Sequence, residues 1–316
     1  MAEGTDTRVV EAAVRTQAAG TAIPVLIGPQ IEVAEKLRKA GAVGGSIQIA
    51  DPSTSELTRR YAEAYYTLRK HKGLSEQQAL ERIKHPLNFS AMMVRAGDAD
   101  GCIGGAVETT AATVRAALQI IGVAPDVNTV SSFFLLFPTK DSVVTTDTLM
   151  FSDCALVISP DREQLADIAC SASDSYQALI GETPKTAMLS FSTAGSGSHE
   201  SVTLVRQATE LARSHRPELL IDGEIQFDAA FVQSVAARKA PDSVLKGAAN
   251  VFIFPSLDAA NIGYKIAQRI GGMKAIGPIL QGLAKPANDL SRGCSAEDVF
   301  SLLAVTSVQA AVQKAL

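Results

Sequence analysis

Short apolar, β-branched runs alternate along the chain with longer segments in which apolar residues recur every three or four positions. Residues 22–27 (AIPVLI) read as a strand, and 31–40 as a helix with Gly41 near its stop. Helices are predicted over 56–70 and over 75–84, the second opened by a serine cap. The glycine-rich 100–106 is strand-like, 109–121 is helical, 149–159 holds a strand, and 163–180 is a long helix. Strand 186–192 and helix 200–214 follow. A strand then begins at 219–221, before helix 229–239, buried strand 249–255 and helix 259–270. Strands separated by helices of this length imply parallel β-α-β units with helices on both sheet faces. The expected fold class is α/β, with two tightly joined α/β domains and mainly parallel sheets. The pattern contains no internal repeat or long flexible linker, and composition does not place the domain boundary.

With 316 residues, 47% of them hydrophobic, the chain can build one large or two ordinary cores. Trp is absent and 5% of residues are aromatic, which predicts mostly aliphatic cores. The formal charge of −4, from 29 Lys and Arg against 33 Asp and Glu, argues against a non-specific nucleic-acid binder. A charged small substrate needs only a local basic pocket. Cys102, Cys154, Cys170 and Cys294 share no C-x-x-C spacing, so neither a disulfide framework nor a zinc site is expected, and a reducing cytoplasm fits. The opening MAEGTDTRVV has no apolar core of a secretory signal, and no run of about 18 apolar residues predicts a membrane span.

Two loops could carry charged-ligand chemistry. Residues 190–198 (SFSTAGSGS) lie between a predicted strand and a predicted helix, where free N–H groups and hydroxyls attract anions. They lack the lysine of a Walker A loop, and a plain tight turn explains them equally well. Residues 288–298 (NDLSRGCSAED) lead into a C-terminal helix. Ser295 followed by Asp298 fits a capping box, although Glu is more usual at that place. Ser291, Arg292 and Asp298 also bring a hydroxyl, a fixed cation and a carboxylate to one helix entrance. Arg69 ends a helix, Arg115 sits in an apolar helix and Arg269 lies near a helix end. Surface charge is the usual role of arginine, but its planar fork suits phosphate or carboxylate. His71, His85, His199 and His215 show no H-E-x-x-H spacing and no obvious carboxylate partner, and His85 before Pro86 reads as a turn. Cys294 near Arg292 and a helix start is expected to have a lowered thiol pKa.

With these residues in view, the sequence resembles the phosphate acetyltransferase and phosphate butyryltransferase family, closest to the acetyl branch. The resemblance runs through DGEIQFDAA at 222–230, KAPDS at 239–243, ANVFIFP at 249–255, ANIGYKIAQR at 260–269, IGPILQG at 276–282 and NDLSRGCSAED at 288–298. Upstream, LRKHKG at 68–73, MMV at 92–94, GDADG at 97–101, TVR at 113–115 and ALQII at 117–121 also fit. It implies two α/β/α domains with an interdomain active-site cleft, in a fold shared with isocitrate- and isopropylmalate-type dehydrogenases, and a homodimer. The first domain would be discontinuous, 1–126 plus 279–316, and the second would be 127–278. It further implies the reaction acetyl-CoA + phosphate = CoA + acetyl phosphate, by direct attack of the CoA thiolate on acetyl phosphate in a ternary complex. Coenzyme A is then a substrate, and neither a cofactor nor a metal is called for.

By position in the family pattern, Asp298 falls on the general base, Ser291 on the serine that supports it, and Arg292 on the arginine that holds the acetyl phosphate group. Arg69 and Arg115 fall on CoA-binding arginines and Arg269 on another functional arginine, while Asn261 and Lys265 are candidate substrate contacts. The sequence departs from the family in lacking an N-terminal helix and first strand, which predicts a first domain short by one strand. It also has Glu108 where many relatives carry histidine. A butyryl or other short-acyl transferase is the nearest alternative reading. A metal- and NAD-dependent dehydrogenase of the same fold would need a carboxylate cluster that the sequence does not offer. A catalytically inactive scaffold or regulatory relative is the non-enzymatic alternative.

Overall fold

A computed structural model describes residues 1–315 except Gly44, Asp126 and 143–146. Asp126, where the sequence placed one domain boundary, lies outside the described residues. The chain forms two compact units, Met1–Ala124 with Leu283–Leu316, and Pro125–Gly282.

The first unit opens with α1 (Thr7–Ala19), which the sequence pattern did not mark. Asp6 caps it by accepting from the Arg8 N–H, and Gly20 ends it at φ 66. Next come β1 (Val25–Ile27), α2 (Gln30–Lys39) and β2 (Gln48–Ala50), with β1 and β2 parallel. α3 (Leu57–Arg69) ends in a short 3₁₀ turn closed by Gly73 at φ 80. Ser75 and Gln78 form a reciprocal capping box on α4 (Glu76–Ile83). His85 is not in a free turn. It is the N-cap of α5 (Pro86–Ala96), whose first residue is the proline. β3 (Cys102–Gly104) and α6 (Thr110–Ile120), capped by Thr109, follow. Residues 1–4 lie extended between β1 and β3. The Met1 ammonium donates to Val25 O at 2.9 Å, Ile27 N to Met1 O at 3.0 Å, Gly4 N to Ile27 O at 2.9 Å, and Ala2 N to Ile103 O at 2.9 Å. This backbone seam joins the β1–β2 pair to β3.

The second unit is built on one sheet. Its elements are β4 (Ser131–Phe137), β5 (Leu149–Ser152), α7 (Arg162–Ile180), β6 (Lys185–Leu189), α8 (Glu200–His215), β7 (Leu220–Ile225), α9 (Phe227–Phe231), α10 (Gln233–Lys239), β8 (Val251–Ile253), α11 (Leu257–Arg269) and β9 (Lys274–Gln281). The strand order is β7-β6-β8-β5-β4-β9. Only β4 runs antiparallel to its neighbours. Its sequence, SSFFLLF, is buried on both faces and shows no alternation. β5 stops at Ser152 because the next carboxylate, Asp153, gathers the N–H groups of Ala155, Leu156 and Val157 at 2.8–3.2 Å into a turn. The helix expected over 229–239 is broken at Val232, which is extended at φ −112 and ψ 114.

The chain then returns to the first unit with β10 (Ala287–Asp289), parallel to β3, and α12 (Ala296–Ala315). The cores are mostly aliphatic, as expected, with Tyr61, Tyr65, Phe89, Tyr176, Phe133 and Phe252 among the largest fully buried side chains. Among the described residues no helix is long and apolar enough to cross a membrane.

Candidate active site

β10 delivers the chain to the 290–298 segment. Leu290 N donates to Gly104 O at 2.7 Å, which fixes where the segment starts. Ser291, Arg292 and Gly293 are exposed, and Cys294 turns back into the interior. Cys294 N donates to Ser291 O at 2.9 Å and Gly293 N to Ser291 Oγ at 3.3 Å, closing a tight turn. Ser295 then caps α12. Its Oγ accepts from Asp298 N at 3.2 Å, while its own N–H and Oγ–H donate to Asp298 Oδ2, both at 2.8 Å.

The capping box expected from Ser295 and Asp298 is therefore present. Oδ2 belongs to the cap, and Oδ1 has no hydrogen-bond partner among the described residues. The cap also freezes the carboxylate rotamer. The Arg292 guanidinium makes no hydrogen bond or ion pair among the described residues. One exposed turn thus presents a hydroxyl, a free guanidinium and a half-free carboxylate.

Two charged residues near the start of the chain, Glu3 and Arg8, hold the loop before α6 and this turn, and neither stood out in the sequence. The buried Glu3 carboxylate accepts from the N–H groups of Ala106, Val107 and Glu108 at 2.7, 3.0 and 2.8 Å. It thereby shapes the loop before α6. Arg8 is held by Asp6 through Nε–Oδ1 at 2.9 Å and Nη2–Oδ2 at 2.8 Å. It donates to Arg292 O at 2.8 Å, Cys294 O at 2.9 Å and Ala106 O at 2.7 Å. Local signals could not reveal these roles, since the partners lie about 100 to 290 positions away.

Burial sets the titration of two groups here. It raises the Cys294 thiol, and Arg8 opposes this without overcoming it. The lowered thiol pKa expected from Arg292 is thus overturned. Cys294 packs inward, and the nearby guanidinium is that of Arg8. Asp289, at the end of β10, is fully buried, with no hydrogen bond to either carboxylate oxygen. Burial pushes it from 3.8 up to about 6, with the Thr110 and Thr113 hydroxyls opposing and Glu3 adding repulsion. His85, which showed no carboxylate partner in the sequence, pairs with Glu108 at 3.1 Å.

The other arginines are placed separately. Arg69 is half-buried at the end of α3, beside Lys70, His71 and Lys72, and Arg115 is exposed on α6. Neither makes a side-chain hydrogen bond or ion pair among the described residues, and none joins them to the 291–298 segment. In the second unit, Asn261, Lys265 and Arg269 recur at four-residue spacing, which gives α11 one polar stripe. Asn261 Nδ2 donates to Cys154 O at 3.2 Å, and Lys265 Nζ donates to Asn261 Oδ1 at 2.7 Å.

Most donors of the 190–198 loop are already engaged within the protein rather than free as its composition had led us to expect. Gly195 N and Ser192 Oγ donate to Glu224 Oε1 at 2.7 and 3.1 Å, and Arg206 Nε to Oε2 at 3.1 Å. The Ser196 hydroxyl accepts from Thr193 N at 3.0 Å. A carboxylate of the same unit already fills the anion position. No cluster of His, Cys, Asp or Glu suited to a metal occurs among the described residues.

Known proteins match this arrangement over almost its whole length. The sequence profile described as phosphate acetyl/butaryl transferase matches residues 1–307. A phosphate acetyltransferase of Paracoccus denitrificans is 49% identical over 308 residues, covering 97% of this chain and 93% of that protein. A crystal structure of a phosphotransacetylase from Streptococcus pyogenes superposes with a TM-score of 0.92 at 45% identity, covering 98% of this chain and 92% of the other. A 4-hydroxythreonine-4-phosphate dehydrogenase from Klebsiella pneumoniae, 11% identical with a TM-score of 0.54 and coverage of 96% and 95%, shares the fold alone. Since the matched stretch includes the capped Asp298 turn and both compact units, the chain belongs to the phosphate acetyl/butaryl transferase family.

Proposed function

We propose that the chain is a phosphate acetyltransferase, catalysing acetyl-CoA + phosphate = CoA + acetyl phosphate. The observation that carries this conclusion is the 49% identity to a phosphate acetyltransferase over 97% of the chain. The unclaimed groups of the 291–298 segment suit the chemistry. A free thiol of pKa about 8.5 is only a few per cent thiolate at neutral pH. A positioned carboxylate that takes the proton during attack adds about 10²–10⁴-fold.

In the direction of acetyl-CoA formation, Asp298 Oδ1 accepts the thiol proton while the CoA sulfur attacks the acetyl carbonyl carbon of acetyl phosphate. The S–C bond forms, the C–O bond to phosphate breaks, and the electron pair leaves with phosphate. Arg292 holds that phosphate through charge-assisted contacts and stabilises its growing charge. Ser291 orients the substrate, and the proton on Asp298 returns to phosphate or solvent. Arg69 and Arg115, whose guanidiniums have no partner among the described residues, suit the CoA phosphates, with Lys70 and Lys72 adding local positive charge. Asn261, Lys265 and Arg269 are assigned to substrate binding. The reaction requires neither metal nor cofactor, with CoA as a substrate.

A homodimer fits the exposed Ile262, Ile266 and Ile270, an apolar stripe along α11 and its C-cap next to the polar one. The four cysteines are free thiols, which fits a cytoplasmic site.

The test is thiol release from acetyl-CoA in the presence of phosphate, followed with a thiol reagent and repeated with butyryl-CoA. Phosphate-dependent release, faster for the acetyl substrate, is the expected result. Absence of release with either acyl-CoA would overturn the assignment, and faster butyryl turnover would move it to the butyryl branch.

A further inference from the structure

Arg8 is an arginine with no donor left for a substrate. A guanidinium has five N–H groups. Here Nε and one Nη2 hydrogen go to Asp6, and the other Nη2 hydrogen goes to Ala106 O. Both Nη1 hydrogens go to carbonyls, those of Arg292 and Cys294. The two carbonyls flank Gly293, so the clamp grips the turn on both sides of its most permissive residue. Arg292 itself, whose side chain has no partner among the described residues, is therefore anchored through its backbone. The same guanidinium ties in Ala106, on the loop that leads to α6.

Among the described residues, the hydrogen bonds within the turn are Cys294 N–Ser291 O, Gly293 N–Ser291 Oγ and the Ser295–Asp298 cap. The turn is also held at its two ends, by Leu290 N on Gly104 O and by the buried Cys294 side chain. Residues 291–293 between them are exposed, and among the described residues the Arg8 bond to Arg292 O is the one hydrogen bond that reaches them from another element.

We propose that Arg8 is a positioning residue for the transfer reaction. By fixing the Arg292 and Cys294 carbonyls, it keeps the Ser291 hydroxyl and the Arg292 guanidinium in a constant place relative to the capped Asp298. It touches neither substrate nor reacting atoms, and Asp6 orients it. The proposal rests on the phosphate acetyltransferase assignment above.

The test compares steady-state kinetics and thermal unfolding of Arg8→Ala, Arg8→Lys and Arg15→Ala with the unaltered protein. Arg15 serves as the control. It lies on the same helix and contacts α12 through Glu297 at 2.7 Å and Phe300 at 4.6 Å, but not the 291–294 turn. Well below the melting temperature, Arg8→Ala is expected to lose kcat on the order of 10²-fold, because misplacing reacting groups by about 1 Å costs that much. Its KM for CoA should stay within about threefold, since the CoA arginines are untouched. Millimolar guanidinium should restore part of the rate. Arg8→Lys should fall between, since it keeps the charge and loses the fork. Arg15→Ala should lose stability without losing kcat.

Unchanged kcat in folded Arg8→Ala would overturn the proposal. So would a loss confined to KM, or one that guanidinium does not relieve and Arg15→Ala reproduces. If Arg8→Ala does not fold, Arg8→Lys carries the same test, and full kcat there overturns it. Lack of turnover in the unaltered protein would instead refute the assigned activity, so the two failures are distinguishable.

Discussion

Residues 190–198 and 290–298 are both rich in small polar residues, both run from a strand into a helix, and each is associated with a buried carboxylate, yet they differ in what is left over. In the first, the donors converge on Glu224, and Ala194 and Gly195 adopt positive φ, 48 and 82, as they aim at it. Burial raises the Glu224 carboxyl, but Arg206, the Gly195 and Glu224 N–H groups and Ser192 together outweigh it, so the net shift is downward. In the second, Asp289 is buried, the Thr110 and Thr113 hydroxyls do not offset that burial, and its carboxyl is pushed up to about 6, while Ser291, Arg292 and Gly293 beyond it are exposed. Composition alone describes both as candidate anion loops. The difference lies in whether the chain supplies its own anion.

That contrast makes predictions that can break it. The largest effect should come from Arg292→Ala, which removes a guanidinium that has no partner among the described residues. We expect kcat/KM for phosphate to fall by about 10²–10³-fold with little change in unfolding, read by steady-state kinetics and urea titration. Retained activity would place the phosphate elsewhere.

Glu224→Ala should do the reverse. It leaves the Gly195 N–H and the Ser192 hydroxyl without their acceptor, which costs about 1–3 kcal/mol of stability, while turnover per folded molecule changes far less than in Arg292→Ala. The sign of its pH dependence follows from its lowered pKa. The stabilisation is present above the unfolded value of 4.5 and is lost as pH falls through the folded value. A Glu224→Gln variant should therefore lose part of the acid limb of the stability curve.

Asp289 should act with the opposite sign. Its folded pKa of about 6 lies above the unfolded 3.8, so its contribution is fully present below 3.8 and is lost as pH rises through about 6. Compared by urea unfolding, Asp289→Asn should gain about 1–3 kcal/mol on the wild type between pH 4 and pH 8. An equal difference at both pH values would mean that Asp289 is not held as a strained buried acid.

The sequence made most of the helices legible, because α2, α3, α4, α7 and α8 bury one periodic stripe each. It was silent where periodicity fails. β4 is apolar on both faces, the break at Val232 is a tertiary choice, and α1 begins in a stretch dense with charge. Ser291, Arg292 and Asp298 stood out through the spacing of 288–298 and its resemblance to a known family. What positions them did not. Glu3 and Arg8 find their partners across the fold, and the same distance hid the His85–Glu108 pair. The burial of Cys294, which reversed its expected thiol shift, is likewise set by packing.

Asparagine at 298 keeps an oxygen to accept from Ser295, so the helix cap survives, but it cannot take a thiol proton as a carboxylate does. Turnover of acetyl-CoA and phosphate by Asp298→Asn is therefore the most direct measurement. A rate lower by about 10²–10⁴-fold, with melting close to that of the wild type, is the expected result. Wild-type turnover in that variant would contradict it, leaving Asp298 as a helix cap and nothing more.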